Sequence, residues 1–390
     1  MDRKLGRTQS KRSRQRSHPA PWRQVPIGLR IFGAHEVVVL LCTLIPYAYA
    51  SVPYTHHNQT FPHEAHFLFQ WDTLWFINIA HYGYGHVPHV PYLVSTAFFP
   101  WLPILIHVFG VWASWILTQG AFALALWRVP VLLRELGFTH KRVLWATGLL
   151  AFNPAMVYDA MLYAEPWTLL FVVVSIEMGL HSRWGWAALA GFLASTTQAT
   201  GLLVGIFPLV INGIGLFQHK WQDVRGAILW GFGPIVGTAS YALYLSMAFH
   251  QPMVFATIQH TSFWHAQWQW PWLQWIHAWR VGVVHPIFWA LALCMTILMI
   301  GSIALVVGSS TKNGYTLALM AYGCLGMVVA ASFATSTEPY HSSLRIASIF
   351  FPLYLGIAHL PRRPLTLIFG IFAGLGITSV VLVSHGWWYQ

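Results

Sequence analysis

"STAFFPWLPILIHVFGVW", residues 95–112, decides how this chain is threaded. It is apolar and long enough to cross a bilayer core, yet Pro100 and Pro103 interrupt it. If it crosses, "RELGFTHKR" (134–142), with three basic residues, falls on the side opposite the basic N-terminus. If it is a juxtamembrane or re-entrant element, that loop falls on the same side, as the positive-inside rule favours. Irregular backbone at membrane depth is tolerated where protein or a cavity shelters it. The second threading is therefore the expectation.

The wider composition demands such a choice. Of 390 residues, 56% are apolar and 8% charged; a soluble domain carries roughly 25% charged residues. Apolar segments of about 17–25 residues, each enough for one helical crossing, recur from residue 35 to residue 384. Residues 35–390 are expected to form one membrane domain, because no polar stretch inside them is long enough to fold separately. The first thirty residues hold nine of the 21 Lys and Arg residues and one acid, Asp2. Residues 1–34 are expected to be a disordered cytoplasmic tail touching anionic lipid. They show no signal-peptide cleavage pattern and no aromatic interleaving of a nucleic-acid module. Cys42, Cys294 and Cys324 lie in apolar segments without metal-ligand spacing.

Eleven spans follow: 35–51, 114–133, 143–160, 166–181, 186–198, 200–217, 226–249, 281–307, 314–334, 344–360 and 365–384. The N-terminus is then cytoplasmic, and the loops 52–93 and 250–280 are external. The fold class expected is an all-α polytopic bundle with a long first external loop carrying a juxtamembrane helix. Most basic residues gather at cytoplasmic ends, and Arg280 and Arg345 are the external exceptions. Glu64, Asp72, Glu165 and Glu338 are external too, and Asp159 sits near the outer end of its span. Ionisable groups at membrane level are costly and mark function by default. A carboxylate able to take a proton, an arginine able to hold a phosphate and a lipid-accessible wall suit group transfer from a lipid phosphate. A transporter can carry the same groups.

Six stretches narrow this. "FQWDTLWFINIAHYGYG" (69–85), "AFFPWLP" (97–103), "FNPAMVYDAMLYAEPWTLLF" (152–171), "LASTTQATGLLVGIFPL" (193–209), "HAQWQWPW" (265–272) and "SLRIASIFFPLYLGIA" (343–358) stand in order along the chain. Together they resemble the signature elements of the PIG-V-like mannosyltransferases, multi-span glycosyltransferases of the GT-C superfamily related to the second mannosyltransferase of GPI-anchor synthesis. The resemblance implies transfer of a hexose, mannose in the family, from a polyprenyl-phosphate donor to an external glycan, lipid or protein acceptor. It implies Asp72 as the catalytic acid/base, and Glu165, Arg345, Gln198, Trp71, Tyr84, Trp268 and Trp272 as substrate contacts. Departures accompany it: Gln198 stands where the family has Arg, Ala164-Glu165-Pro166 replaces a Thr-Glu-Ser turn, Asp159 replaces Ser, and Ile346 follows Arg345 where the family has Tyr.

Plainer roles compete at each position. Asp72 suits a helix N-cap, with Trp75, Ile79 and Tyr82 following at helical spacing. Glu165 suits a helix N-terminus. Arg345 can snorkel or pair with Glu338, and Arg280 can anchor at the interface. The six Trp within residues 264–279 suit the aromatic belt as well as a sugar-stacking surface. "HHNQTFPHEAH" (56–66) gathers imidazoles and a carboxylate, so a divalent metal stays open, but its spacing matches no defined motif and no metal ligands are assigned. A lipid or solute transporter, and a catalytically degenerate family member acting as a partner subunit, are the competing functions.

Overall fold

In the computed structural model, residues 26–49, 68–88, 90–217, 221–261, 263–309, 313–335 and 338–384 are described. The His-rich stretch 56–66, Glu64 and most of the basic tail lie outside them. The first part forms α1 (Ile27–Tyr49), the short α2 (Asp72–Tyr82) and α3 (Trp101–Phe109), then α4 (Val111–Glu135), α5 (His140–Ala151) and α6 (Met156–Ala160). The middle forms α7 (Glu165–Leu180), α8 (Trp184–Thr197), α9 (Ile206–Phe217), α10 (Trp221–Phe249) and the one-turn α11 (Val254–Thr257). The last part forms α12 (Pro271–Gly282), α13 (Ile287–Gly308), α14 (Gly314–Ser332), α15 (Ser343–Ser348), α16 (Phe351–Ile357) and α17 (Arg362–Ser384). Two three-residue strands, β1 (Ala266–Trp268) and β2 (Phe333–Thr335), pair antiparallel with Ala266 opposite Thr335.

The chain is thus essentially all-α. Among the described residues, 7 helical stretches are long and apolar enough to cross a membrane. They lie in α1, α4, the run Ala199–Phe217 that ends in α9, α10, α13, α14 and α17. This is the pattern of a multi-pass membrane protein.

Several expected spans are interrupted, each for a local reason. Residues 95–112 form a 3-10 turn (Val94–Ala97) and α3, which ends at Gly110 with φ 78°. At 1.5 Å per residue, α3 is only about 14 Å long and cannot cross. The expected span 143–160 breaks between α5 and α6 at Asn153-Pro154. Proline lacks an N–H and disfavours helix at the preceding residue. Asn153 takes over: its Nδ2 donates to the Leu150 carbonyl at 2.8 Å, and its Oδ1 accepts from the Ala155 N–H at 2.7 Å. The expected span 344–360 breaks at Phe350, and Pro352 sits in the first turn of α16. The expected span 281–307 begins only at Ile287, after a separate α12.

At the other end, helix reaches into the expected tail. α1 starts at Ile27, not at residue 35. Gly28 lies so close to α4 that a Cβ there would come within 1.8 Å of the Leu126 carbonyl oxygen. That packing, which only glycine permits, draws the tail's last residues into the bundle.

The bundle core is built by close helix crossings. α8 packs along both α7 and α10. α10 carries "GPIVG" (233–237) at the crossing, a small-xxx-small pattern that lets backbones approach. A Cβ on Gly233 would come within 2.0 Å of the Ala188 carbonyl oxygen, and one on Gly237 within 2.5 Å of that of Phe192. Gly233→Val should therefore force α8 and α10 apart and destabilise the protein by about 1–3 kcal/mol. Thermal unfolding in detergent checks this; an unchanged midpoint would show that the crossing is slack.

Candidate active site

Three segments far apart in the chain converge on one guanidinium. α2 begins at Asp72, α7 begins at Glu165, and α15 carries Arg345 in its last turn. Arg345 Nη1 donates to Asp72 Oδ2, and Arg345 Nε lies 3.4 Å from Glu165 Oε1. The Asp72 and Arg345 side chains are 17% and 15% exposed and Glu165 is 3% exposed, so water screens the trio weakly. Tyr158 and Tyr163 supply aromatic walls, with the guanidinium carbon 5.7 and 5.4 Å from their ring centres. Such placement is favourable for a cation over a ring face.

Local structure sets each partner. Asp72 is the first residue of α2, and Trp71, not Asp72, holds the N-cap position; the Asp72 carboxylate goes to Arg345. The Asp72 backbone N–H donates to the Tyr163 hydroxyl oxygen at 3.2 Å. Thr73 donates to the Leu162 carbonyl at 3.0 Å, and the Leu162 N–H donates to that of Leu68 at 3.2 Å. The start of α2 is thereby stitched to the link between α6 and α7. Trp115 Nε1 donates to the Ala160 carbonyl at 2.9 Å and Gln119 Nε2 to the same oxygen at 3.0 Å, tying that link to α4.

Backbone strain borders both ends of the ion pair. Trp71 has φ 48°, and Tyr340 and Ser342, shortly before Arg345, have φ 58° and 55°. Non-glycine residues held there cost on the order of 1–3 kcal/mol each and cluster at functional sites.

Gln198 joins the same group. Its Nε2 lies 3.4 Å from Glu165 Oε1, and the Thr168 hydroxyl lies 3.4 Å from its Oε1. The other oxygen, Glu165 Oε2, is buried with no hydrogen-bond partner among the described residues. Asp159 is buried nearby and bonded to Asn153 Nδ2 at 3.0 Å through its Oδ2.

So Asp72, Glu165, Gln198 and Arg345 are brought together. Trp71 adjoins Asp72 and packs on the core. The remaining expected residues sit elsewhere. Tyr84 is buried with α10, its hydroxyl donating to the Phe98 carbonyl at 2.8 Å and its ring against Tyr241. Trp268 and Trp272 are exposed, and Trp272 stacks on Trp270 with ring centres 4.9 Å apart. Arg345 does not pair with Glu338; that acid bonds His341 Nδ1 at 2.8 Å. The hydrogen bond to His341 holds the Glu338 carboxyl below its ordinary range. Tyr158, Tyr163 and Thr168 were not singled out in the sequence. All three lie within the 152–171 stretch, and a tyrosine one or two residues before each of its two acids, Asp159 and Glu165, was the signal available.

A second ionic group lies at the far end of α7. Arg128 binds Glu177 through two nitrogens, and Glu135 and His181 complete a set whose ligand atoms lie within 4.8 Å of one another. The guanidinium already neutralises Glu177, so this set is poorly suited to hold a metal ion. A scan against protein-family models and a search of curated proteins both return no match.

Removing the cation should expose the tension in the trio. Arg345→Met leaves two buried carboxylates unpaired, and breaking a buried pair in this way costs about 3–5 kcal/mol. Adding Glu165→Gln should recover part of that loss in thermal unfolding. An Arg345→Met midpoint equal to wild type would show that the three charges are not coupled.

Proposed function

We propose that this chain is an integral-membrane glycosyltransferase that moves a hexose, mannose by the family resemblance, from a polyprenyl-phosphate donor to a glycan, lipid or protein acceptor. One observation carries the reading: the Asp and the Arg that the resemblance assigns to catalysis and donor binding, 273 positions apart, are directly paired. The six motifs in order support it.

In this reading the acceptor hydroxyl attacks the anomeric carbon as the bond from that carbon to the phosphate oxygen breaks. The electron pair leaves on the lipid phosphate, the hydroxyl proton passes to Asp72, and configuration inverts. Without substrate, Arg345 is shared by two acids, so the trio carries a formal charge of −1 when both are ionised. A donor phosphate therefore has to take the guanidinium from a carboxylate. Taking it from Asp72 frees that carboxylate for the acceptor hydroxyl, which ties donor binding to readiness for attack. Gln198 offers the phosphate an uncharged donor.

The finer topology belongs to the same proposal. Eleven crossings are reached when α5–α6 and α15–α16 count as broken spans and α7 and α8 as short ones. The N-terminus is then cytoplasmic, and the Asp72 site opens on the outer side of the cell membrane, the side from which a lipid-linked donor is used. A transport path would call on acids deep in the spans, but Glu177, the acid best placed for it, is clasped by Arg128.

Asp72→Asn keeps the shape and removes the proton acceptor. Transfer of mannose from a polyprenyl-phosphate donor by the purified variant should fall by about 10²–10⁴-fold, the usual worth of a general base. Undiminished transfer would take Asp72 out of the mechanism. Absence of any sugar release by wild type, to water or to acceptor, would favour the transporter or partner-subunit reading.

A further inference from the structure

α12 carries an exposed aromatic face to which no member of the charged trio belongs. α12 folds back antiparallel on the first half of α13: Trp275 Nε1 donates to Thr296 Oγ1 at 3.2 Å, and Trp289 Nε1 donates to the Trp279 carbonyl at 3.2 Å. Gly282 permits the tight reversal, since a Cβ there would come within 2.3 Å of the Trp289 ring. One face of α12, with Gln274, Ala278 and Gly282, is buried. The other presents Trp272, Leu273, Trp275, Ile276 and Trp279, all at least 40% exposed. That spacing of three and four places them on one side of a helix.

Three observations identify what covers this face. It continues without a polar break onto Trp289 and Leu293 of α13, a helix long and apolar enough to cross a membrane. The residues are mostly Trp, whose amphipathic ring settles at headgroup level. No acid occurs from residue 224 to residue 337, whereas His277, Arg280 and His285 lie on or beside the hairpin, a balance that complements lipid phosphate.

The buried face of α12 has its own partner. Gln274 Oε1 accepts the Tyr340 N–H at 3.1 Å. The β1–β2 pair and the bond from the Gln269 N–H to the Ser332 carbonyl, 2.9 Å, lock the same two segments together. Tyr340 and Ser342 hold positive φ, and such strain persists only where surroundings over-determine it. Arg345 follows at once.

We propose that the aromatic face of the α12–α13 hairpin rests on the lipid surface, and that this contact holds the strained 338–345 turn in the conformation that delivers Arg345 to Asp72. It assigns Trp272 to lipid and not to a glycan, and it stands whether or not the chain transfers sugar.

The test uses the full chain in bilayers of phosphatidylcholine and phosphatidylglycerol, with its three cysteines replaced by Ser. Spin labels go on Trp272→Cys, Trp275→Cys and Trp279→Cys in turn. Lipid contact predicts frequent collision with oxygen and little with a water-soluble nickel chelate at all three positions. Free collision with the chelate would place the face in water and overturn the proposal. Dipolar broadening between labels would put a second copy there and overturn it equally. Hydrogen exchange then reads the coupling. In the Trp272→Ala/Trp275→Ala/Trp279→Ala variant, peptides covering 338–348 should exchange several-fold faster while α17 exchanges as in wild type. Unchanged exchange at 338–348 would refute the link to Arg345.

Discussion

One arginine answers to two acids, and much of the fold is arranged so that it can. Arg345, Asp72 and Glu165 come from the starts of α2 and α7 and the end of α15. A charge moved out of water without a partner costs several kcal/mol even after relaxation. None of the three can therefore be packed at this depth alone. An apolar cluster of similar volume would hold the helices together as well or better; what the ions add is a requirement that the three segments meet at one guanidinium. The two tyrosine walls and the stitched link between α6 and α7 extend that placement to α4.

The same logic explains why the helices break where they do. The chain after residue 153 has to bring Tyr163 to α2 and Glu165 to α15, which an unbroken helix through residues 143–160 would not direct there. The Asn153-Pro154 break allows it, with Asn153 satisfying the orphaned backbone groups through its own side chain. The Phe350 break does the equivalent for Arg345, leaving α15 as a short piece that can tilt independently of α16. Irregular backbone inside an apolar bundle survives because protein groups, not lipid, meet its N–H and C=O groups.

Much of this was legible in the sequence, unevenly. The apolar runs of α4, α10, α13, α14 and α17 were plain, because length and hydropathy alone signal a crossing. Asp72 stood out as a lone acid in an apolar stretch and Arg345 as a cation on the same side, and the motif resemblance singled the two out together. The tryptophans were ambiguous in composition: Trp268 and Trp272 read as sugar platforms or, more readily, as interface anchors, and both prove exposed, Trp268 on β1 and Trp272 on α12. The start of α1 was hidden because Arg30 joins residues 27–34 to the basic run before them, while Gly28 packing against Leu126 is a tertiary fact that no local pattern announces. The sharing of Arg345 by Glu165 was likewise invisible, since nothing in sequence spacing fixes the approach of α7 to α15.

That sharing bears on Gln198, whose neutral amide lies beside the same acid. Gln198 reaches Glu165 only at 3.4 Å, and Arg345 turns its Nε toward the same carboxylate. Two acids are thus served by one arginine that takes a second partner. With both acids ionised the group is one positive charge short of neutrality, and Glu165 Oε2 is buried without a donor among the described residues. An incoming ligand that brings a hydroxyl to that oxygen meets a real deficit, whereas one that brings only negative charge must first displace a carboxylate.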